Sequence, residues 1–152
     1  MPGGLLSKLG AMIAGTGDLD PEADPEVALA CLLAEAARAD GRVEEAEREM
    51  AIALLARRGR SREEAAALFA RAERLVANAV QLLPWTRAIK DGVPLDERVA
   101  VIEQLFAVAF ADGRLDPLED QLIRRVAGLL YVPDRARGQA ARRVRARLAD
   151  GA

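Results

Sequence analysis

The side chains best suited to chemistry in this sequence are carboxylates in two short segments, residues 39–47 (ADGRVEEAE) and residues 111–119 (ADGRLDPLE). Each segment carries an aspartate followed seven residues later by a glutamate. Carboxylate oxygens bind hard cations such as Ca²⁺ and Mg²⁺, and they also accept hydrogen bonds from the free N–H groups at a helix start. The pattern therefore points to a cation site or to helix capping. The four carboxylates are Asp40, Glu47, Asp112 and Glu119.

Several classes of site are excluded by composition. The chain contains no His and one Cys, Cys31. These counts exclude Ser-His and Cys-His catalytic pairs, histidine-containing and four-cysteine zinc sites, and an intramolecular disulfide. Any metal site must therefore use oxygen ligands. Charged residues of both signs make up 30% of the chain with a net charge of −2, so we expect no nucleic-acid partner. Because no general base, nucleophile or substrate pocket is visible, we also expect no enzymatic activity.

Helices must position the acidic segments. The sequence is rich in Ala, Leu, Arg and Glu, which favour helices, and we predict an all-α protein of about seven helices with no sheet. Two of the predicted helices, at residues 25–39 and 99–111, are almost free of charge and should be buried. Each ends near a glycine, Gly41 or Gly113, and an amphipathic helix follows. Ser61 with Glu64 forms a capping box that predicts the start of a further helix.

The two acidic segments belong to an internal repeat. Displacing the sequence by 72 residues aligns them at Ala, Asp, Gly, Arg and the final Glu, and Leu33 then matches Leu105. We interpret this as a duplication. It predicts a domain over residues 24–150, with pseudo-symmetric halves at about 24–83 and 95–148 and the two uncharged helices crossing at the centre. Pro84, Trp85 and the residues up to Pro94 break the helical pattern and should separate the halves.

The first 23 residues are predicted to form an amphipathic helix followed by an acidic linker. Apolar residues recur at helical spacing within residues 5–13, and residues 15–26 (GTGDLDPEADPE) are typical of a linker. The helix is expected to dock on the domain, and peripheral contact with a membrane is the alternative interpretation. No apolar run is long enough to span a membrane and no secretory signal is visible, so we expect a cytoplasmic protein.

The duplicated segments resemble the TerB-like family, which is associated with bacterial tellurite resistance and also occurs in a DnaJ-type co-chaperone. The resemblance covers about residues 24–148, and its carriers are the two ADG motifs, each followed by a Glu seven residues after the Asp. It implies a compact all-helical bundle of two pseudo-symmetric halves. It also implies an acidic surface that binds divalent cations, with Asp40, Glu47, Asp112 and Glu119 as the corresponding carboxylates.

Capping remains an alternative to cation binding. Asp116 and Glu119 form a capping box by themselves, whereas Glu44 is a poorer cap at the equivalent place. Aspartate at a helix C-terminus faces the unfavourable end of the dipole, and a cation would offset that cost. We expect Ca²⁺ first and Mg²⁺ second, bound weakly, unless Arg42 and Arg114 pair with the carboxylates and replace the metal. The candidate ligands are Asp40, Glu44, Glu47, Asp112, Asp116 and Glu119.

The last predicted helix carries a basic face. Without interleaved aromatic residues this face is either a solvated helix surface or a site for an anion or a partner. The arginines in question are Arg135, Arg142, Arg143 and Arg145. Taken together, the sequence predicts a non-catalytic, divalent-cation-binding interaction module in a stress response, with a protein partner. A metal-free helical scaffold for protein–protein interaction is the alternative.

Overall fold

The computed structural model describes residues 24–78 and 82–151, with the backbone alone at residue 83. The predicted N-terminal helix and linker, in residues 1–23, lie outside this part of the chain. Within the described residues the protein forms seven α-helices and no strand, which confirms the all-α prediction. The helices are α1 (Pro25–Ala37), α2 (Glu45–Ala56), α3 (Arg62–Ala77), α4 (Leu83–Gly92), α5 (Arg98–Ala109), α6 (Pro117–Leu129) and α7 (Asp134–Gly151), and a 3₁₀ turn (Leu95–Glu97) precedes α5.

The two mainly apolar helices, α1 and α5, form the centre of the bundle and contact each other, as predicted. Asp24 caps α1 by accepting a hydrogen bond from the Glu26 N–H at 2.9 Å, and Pro25 follows in the first turn. Most residues of both helices are buried, because neighbouring helices cover them on several sides. Leu33 and Leu105, equivalent in the repeat, are both fully buried.

The repeat in the sequence is also a repeat in the structure. Displacing α1, α2 and α3 by 72 residues places them on α5, α6 and α7, with ends that agree to within two residues. The contacts follow the same rule: α1 packs on α2 and α3 as α5 packs on α6 and α7. Across the halves, α2 packs on α5 as α6 packs on α1. Approximate two-fold symmetry therefore relates the two halves.

The predicted interruption between the halves is wrong, because the structure places a helix, α4, over most of it. Pro84 lies in the first turn of α4, where a proline removes no helical hydrogen bond. α3 ends before this segment, at Ala77. α4 packs on α1 and α6, and the Trp85 side chain is buried. Gly92 at its end approaches α1 so closely that a Cβ there would lie 2.2 Å from Pro25 Cγ.

No helix among the described residues combines the length and apolarity that crossing a membrane requires.

Candidate functional site

The two acidic loops begin with the same tight turn. Gly41 and Gly113 have φ values of +92° and +97°, in the left-handed region where side chains are strained. Their N–H groups donate to the carbonyl oxygens of Arg38 and Phe110, both at 2.9 Å. The chain therefore leaves α1 and α5 in the same way and delivers the next residues to the starts of α2 and α6.

Asp40 and Asp112 each form a hydrogen bond within their own loop. Oδ1 of Asp40 accepts from the Arg42 N–H at 3.1 Å, and Oδ1 of Asp112 accepts from the Arg114 N–H at 3.2 Å. These exposed bonds form the turn in which an aspartate binds the backbone two residues further on. Each aspartate therefore has a structural role in its turn, although a helix C-terminus is an unfavourable place for a negative charge. In the described part of the chain the second oxygen of each carboxylate makes no hydrogen bond.

The two loop arginines do not fill the space between the loops. The Arg42 side chain is 81% exposed and its Nη2 lies 3.4 Å from Glu44 Oε1. For Arg114, residues 24–78 and 82–151 supply no ion-pair partner. The interpretation that these arginines replace a metal by pairing with Asp40, Glu47, Asp112 or Glu119 therefore finds no contact in the described structure.

Glu47 and Glu119 lie at the centre of the site. Each is the third residue of its helix and accepts from a backbone N–H at the helix start: Glu44 N–H at 3.3 Å from Glu47 Oε1, and Asp116 N–H at 3.0 Å from Glu119 Oε1. Unlike most glutamates they are buried, with 1% and 2% of their surface exposed. The two carboxyl groups lie within hydrogen-bonding contact of each other. Because residues 47 and 119 are equivalent in the repeat, this contact lies on the approximate two-fold axis.

This pair needs a proton or a cation. Two carboxylates only accept hydrogen bonds, and Glu119 Oε2 is buried without a donor in the described structure. Burial first, and then the bond to Glu119, raise the pKa of Glu47. Burial also raises the pKa of Glu119. Asp112 contributes to both shifts through repulsion, which shows that the loops are close enough for their charges to interact. A bound proton or cation would therefore stabilise the pair.

A third capping box shows what capping alone requires. Glu64 has the same position in α3 as Glu47 has in α2, and its carboxylate accepts from the Ser61 N–H at 2.8 Å. Its side chain is exposed, and the hydrogen bonds from Ser61 lower its pKa. The glutamates of the two acidic loops make the same kind of bond, but they are buried against each other and their pKa values rise. Capping therefore explains the hydrogen bond to one oxygen of each buried carboxyl group. It does not explain why the two carboxyl groups contact each other.

The remaining candidate ligands stay at the edge of the site. Glu44 is the N-cap of α2 and its side chain pairs with Arg42, while Asp116 caps α6 by accepting from the Leu118 N–H at 2.8 Å. Among the described residues no three His, Cys, Asp or Glu side chains are close enough together to hold an ion. The structure thus brings together two of the six predicted ligands, Glu47 and Glu119. Asp40 and Asp112 lie near enough to act on them by charge alone.

The basic face of α7 is partly occupied by contacts within the protein. Arg143 donates from Nε and Nη2 to Glu103 Oε2, at 3.0 and 2.7 Å, and Arg147 donates to Glu103 Oε1 at 2.9 Å. The Arg145 guanidinium lies over the Phe110 ring, 4.8 Å from its centroid. The other two arginines named from the sequence are exposed and make no ion pair with the described residues; they are Arg135 and Arg142.

Sequence reasoning missed Arg98, which joins three helices. Its guanidinium donates to the carbonyl oxygens of Lys90, Val93 and Leu130, at 3.0, 3.0 and 3.1 Å. These carbonyls lie at or after the ends of α4 and α6, where no helical N–H is available to them. The sequence did offer one signal for this role, because an arginine stands at the start of a mainly apolar helix.

Cys31 is fully buried, as expected for a residue of the first buried helix, and burial raises the pKa of its thiol to about 12.

Comparison with known proteins identifies one family. The family model described as Tellurite resistance protein TerB matches residues 26–142, which is most of the chain and includes both acidic loops. No curated protein and no solved structure matches.

Proposed function

Because the chain belongs to the family of the tellurite resistance protein TerB, we propose that it is a non-catalytic module that binds a divalent cation between its two acidic loops and interacts with a protein partner. The observation that carries this proposal is the buried Glu47–Glu119 pair. Glu119 Oε2 is out of water, has no donor within the described residues, and lies beside a second carboxyl. An oxygen in that position accepts either a proton or a metal ion.

The available donors favour a hard cation. Glu47 and Glu119 supply carboxylate oxygens, and Asp40 and Asp112 each have one oxygen that makes no hydrogen bond in the described structure. Ca²⁺ takes six to eight oxygens in irregular geometry, whereas Mg²⁺ demands an octahedron and keeps several waters. Ca²⁺ is therefore the first candidate and Mg²⁺ the second. Since the protein offers few preassembled ligands, affinity in the micromolar to millimolar range is expected.

When bound, the cation would neutralise carboxylates that otherwise repel each other across the two-fold axis. Glu47 and Glu119 come from different halves, so a shared ion would hold α2 and α6 together at their starts. The family description, tellurite resistance, supports a role in a stress response, and we propose a cytoplasmic location for it. The absence of His from the sequence favours binding over catalysis, as does the lack of an assembled nucleophile and base within residues 24–78 and 82–151.

A metal-free scaffold is the second candidate, and one observation favours it. A proton shared between Glu47 and Glu119 satisfies the buried oxygen, and the raised pKa values of both groups are consistent with a pair that holds one. In that case the acidic loops serve the fold alone. The two candidates differ in whether a divalent cation displaces the proton.

Thermal unfolding with and without Ca²⁺ separates these candidates. At free Ca²⁺ about 100 times the dissociation constant, binding to the folded state adds about 2.7 kcal/mol of stability, which raises the melting temperature by several degrees. Asp40→Asn with Asp112→Asn should remove most of this shift, because Asn keeps the turn but loses the charge. Glu64→Gln is the matched control, since it alters a capping glutamate away from the loops, and it should keep the full shift. A wild-type protein that melts at the same temperature in Ca²⁺, in Mg²⁺ and in chelator would contradict the cation site and favour the scaffold.

A further inference from the structure

A groove lies where α2 of the first half meets α5 and α7 of the second half, and it begins at Met50 of α2, three residues after Glu47. Its walls are α2 and α7, its floor is α5, and its volume is about 480 Å³. The side chains that line its centre are apolar, and they come from all three helices. These residues are Met50, Leu54, Ala107, Val144 and Leu148.

The approximate two-fold axis provides a comparison for this groove. A second groove of similar size lies in the equivalent place, with α3 and α6 as walls and α1 as floor. Val76 and Leu122 line it, and they are the equivalents of Leu148 and Met50. Its floor carries Glu35 at the position equivalent to Ala107. The two halves therefore share a groove, but only the one between α2 and α7 has an apolar side chain, Ala107, at this position of its floor.

The rim of the α2–α7 groove is basic. Three arginines line it, Arg57 and Arg58 from the end of α2 and Arg147 from α7. The one acid in the lining, Glu103, already accepts from both Arg143 and Arg147. Arg58 pairs with Glu26, whereas Arg57 has no ion-pair partner in the described part of the chain. An occupant with acidic groups at its edges would complement this rim.

One buried polar atom is also available to an occupant. Gln104 lies in the lining of the groove, and its Oε1 is buried without a hydrogen-bond donor among the described residues. Buried side-chain oxygens normally have a donor, so a rotation of the Gln104 side chain toward the groove would let an occupant supply one. The groove thus combines apolar side chains from three helices, a rim with arginines and an acceptor that has no donor among the described residues.

We infer that the α2–α7 groove binds an amphipathic helix of a protein partner, with the apolar face of that helix against the apolar side chains of the groove and an acidic residue beside Arg57. Two helical walls lined by apolar side chains accommodate a helix through side chains at i, i+3, i+4 and i+7. Acidic residues flanking that stripe would meet the arginines and fix the orientation. This inference does not depend on cation binding, since no residue of the acidic loops lines the groove.

The test uses a synthetic helical peptide of about 18 residues with a leucine stripe flanked by glutamates. Its binding to the full chain is followed by fluorescence anisotropy at low and moderate salt. Two peptides serve as controls: one with the same composition in scrambled order, and one with lysine in place of each glutamate. We expect the first peptide to bind at least tenfold more tightly than either control.

Two variants locate the binding. Ala107→Glu places in this groove the side chain that the other half carries at Glu35, and so adds a charge to its apolar lining. Arg57→Glu reverses the unpaired charge on the rim. Each should weaken peptide binding at least tenfold, and Arg125→Glu, which lies in the α3–α6 groove, should leave it unchanged. Circular dichroism confirms that all three variants fold.

Several results would overturn the inference. They are equal binding of the scrambled peptide, equal loss of binding with Arg125→Glu, and retention of binding by both Ala107→Glu and Arg57→Glu. Anionic phospholipid vesicles provide the last comparison. If vesicles bind and lose binding with Ala107→Glu and Arg57→Glu while the acidic peptide does not bind at all, the groove faces a lipid surface and the partner helix is wrong.

Discussion

The two halves of this protein make the same kinds of contact where they meet and different contacts on their outer surfaces. At the meeting point, Glu47 contacts its own equivalent Glu119, and both loops use the same glycine turn and the same aspartate bond. Outside, Glu26 at the start of α1 pairs with arginines, whereas its equivalent Arg98 binds backbone carbonyls.

This difference follows from what each position contacts. A residue near the two-fold axis contacts its own equivalent, so a change in one half alters the contact of the other half as well. A residue on the outer surface has a neighbour that the other half lacks, such as α4, which packs on α1 and α6. The acidic loops and the central helices are therefore alike in both halves, while the grooves and the outer arginines are not.

The largest expected change in stability tests whether the central helices of the two halves form one core. Leu33→Ala and Leu105→Ala should each lower the free energy of unfolding by about 2 to 5 kcal/mol, because both side chains are fully buried and leave a cavity. Leu118→Ala, at an apolar residue that is 50% exposed, is the control and should cost less than about 1 kcal/mol. Urea unfolding measures all three. A loss below about 1 kcal/mol at both buried sites would show that the halves do not share one core.

The next largest effect is the dependence of folding stability on pH that the Glu47–Glu119 pair causes. Burial and then the bond to Glu119 raise the pKa of Glu47 from its ordinary value of 4.5 to about 9. The folded state therefore holds a proton that the unfolded state has lost, and stability should fall as pH rises through this window. One proton sets a slope of at most about 1.4 kcal/mol per pH unit.

The corresponding variant separates this pair from ordinary capping. In Glu47→Gln the amide replaces the protonated carboxyl, so urea unfolding in chelator at pH 5, 7 and 9 should give a flatter profile than the wild type. Glu64→Gln should keep the wild-type slope, because Glu64 is exposed and lies in another helix. A wild-type stability that rises from pH 5 to pH 9 would contradict a shared proton.

A smaller effect tests a difference between the halves. Gly59 and Tyr131 are equivalent residues that follow α2 and α6, with φ values of +90° and +61°. Gly59→Ala should cost about 1 to 2 kcal/mol of unfolding free energy through backbone strain alone, because nothing lies within 4 Å of the added Cβ. Tyr131→Gly should change stability by less than about 1 kcal/mol, since relief of strain offsets the lost contact with Lys90. Equal effects of the two changes would remove this contrast.

Much of the fold could be predicted from the sequence, because its signals are local. The uncharged helices, the capping box at Ser61, the left-handed glycines and the 72-residue repeat all act within a few residues or repeat a pattern. α4 was missed because Pro84 and Trp85 look like an interruption, although a proline fits the first turn of a helix.

The site was harder to predict than the fold. The repeat showed that Glu47 and Glu119 are equivalent, but their contact depends on how α2 packs on α5 and α6 packs on α1 across the halves. Likewise, the pairing of Arg143 and Arg147 with Glu103 depends on the rotation of α7 against α5. Tertiary geometry of this kind leaves no periodic signal in the residues themselves.

Calorimetric titration with Ca²⁺ at pH 7 tests the proposed cation site most directly, because it measures binding at the contact of Glu47 with Glu119. The wild type should bind with a dissociation constant in the micromolar to millimolar range. Glu47→Gln with Glu119→Gln should weaken binding at least tenfold, because both carboxylates on the axis are lost, while Glu64→Gln should bind as the wild type does. No heat of binding in the wild type, or the same dissociation constant in the double variant, would contradict a cation site between the two halves.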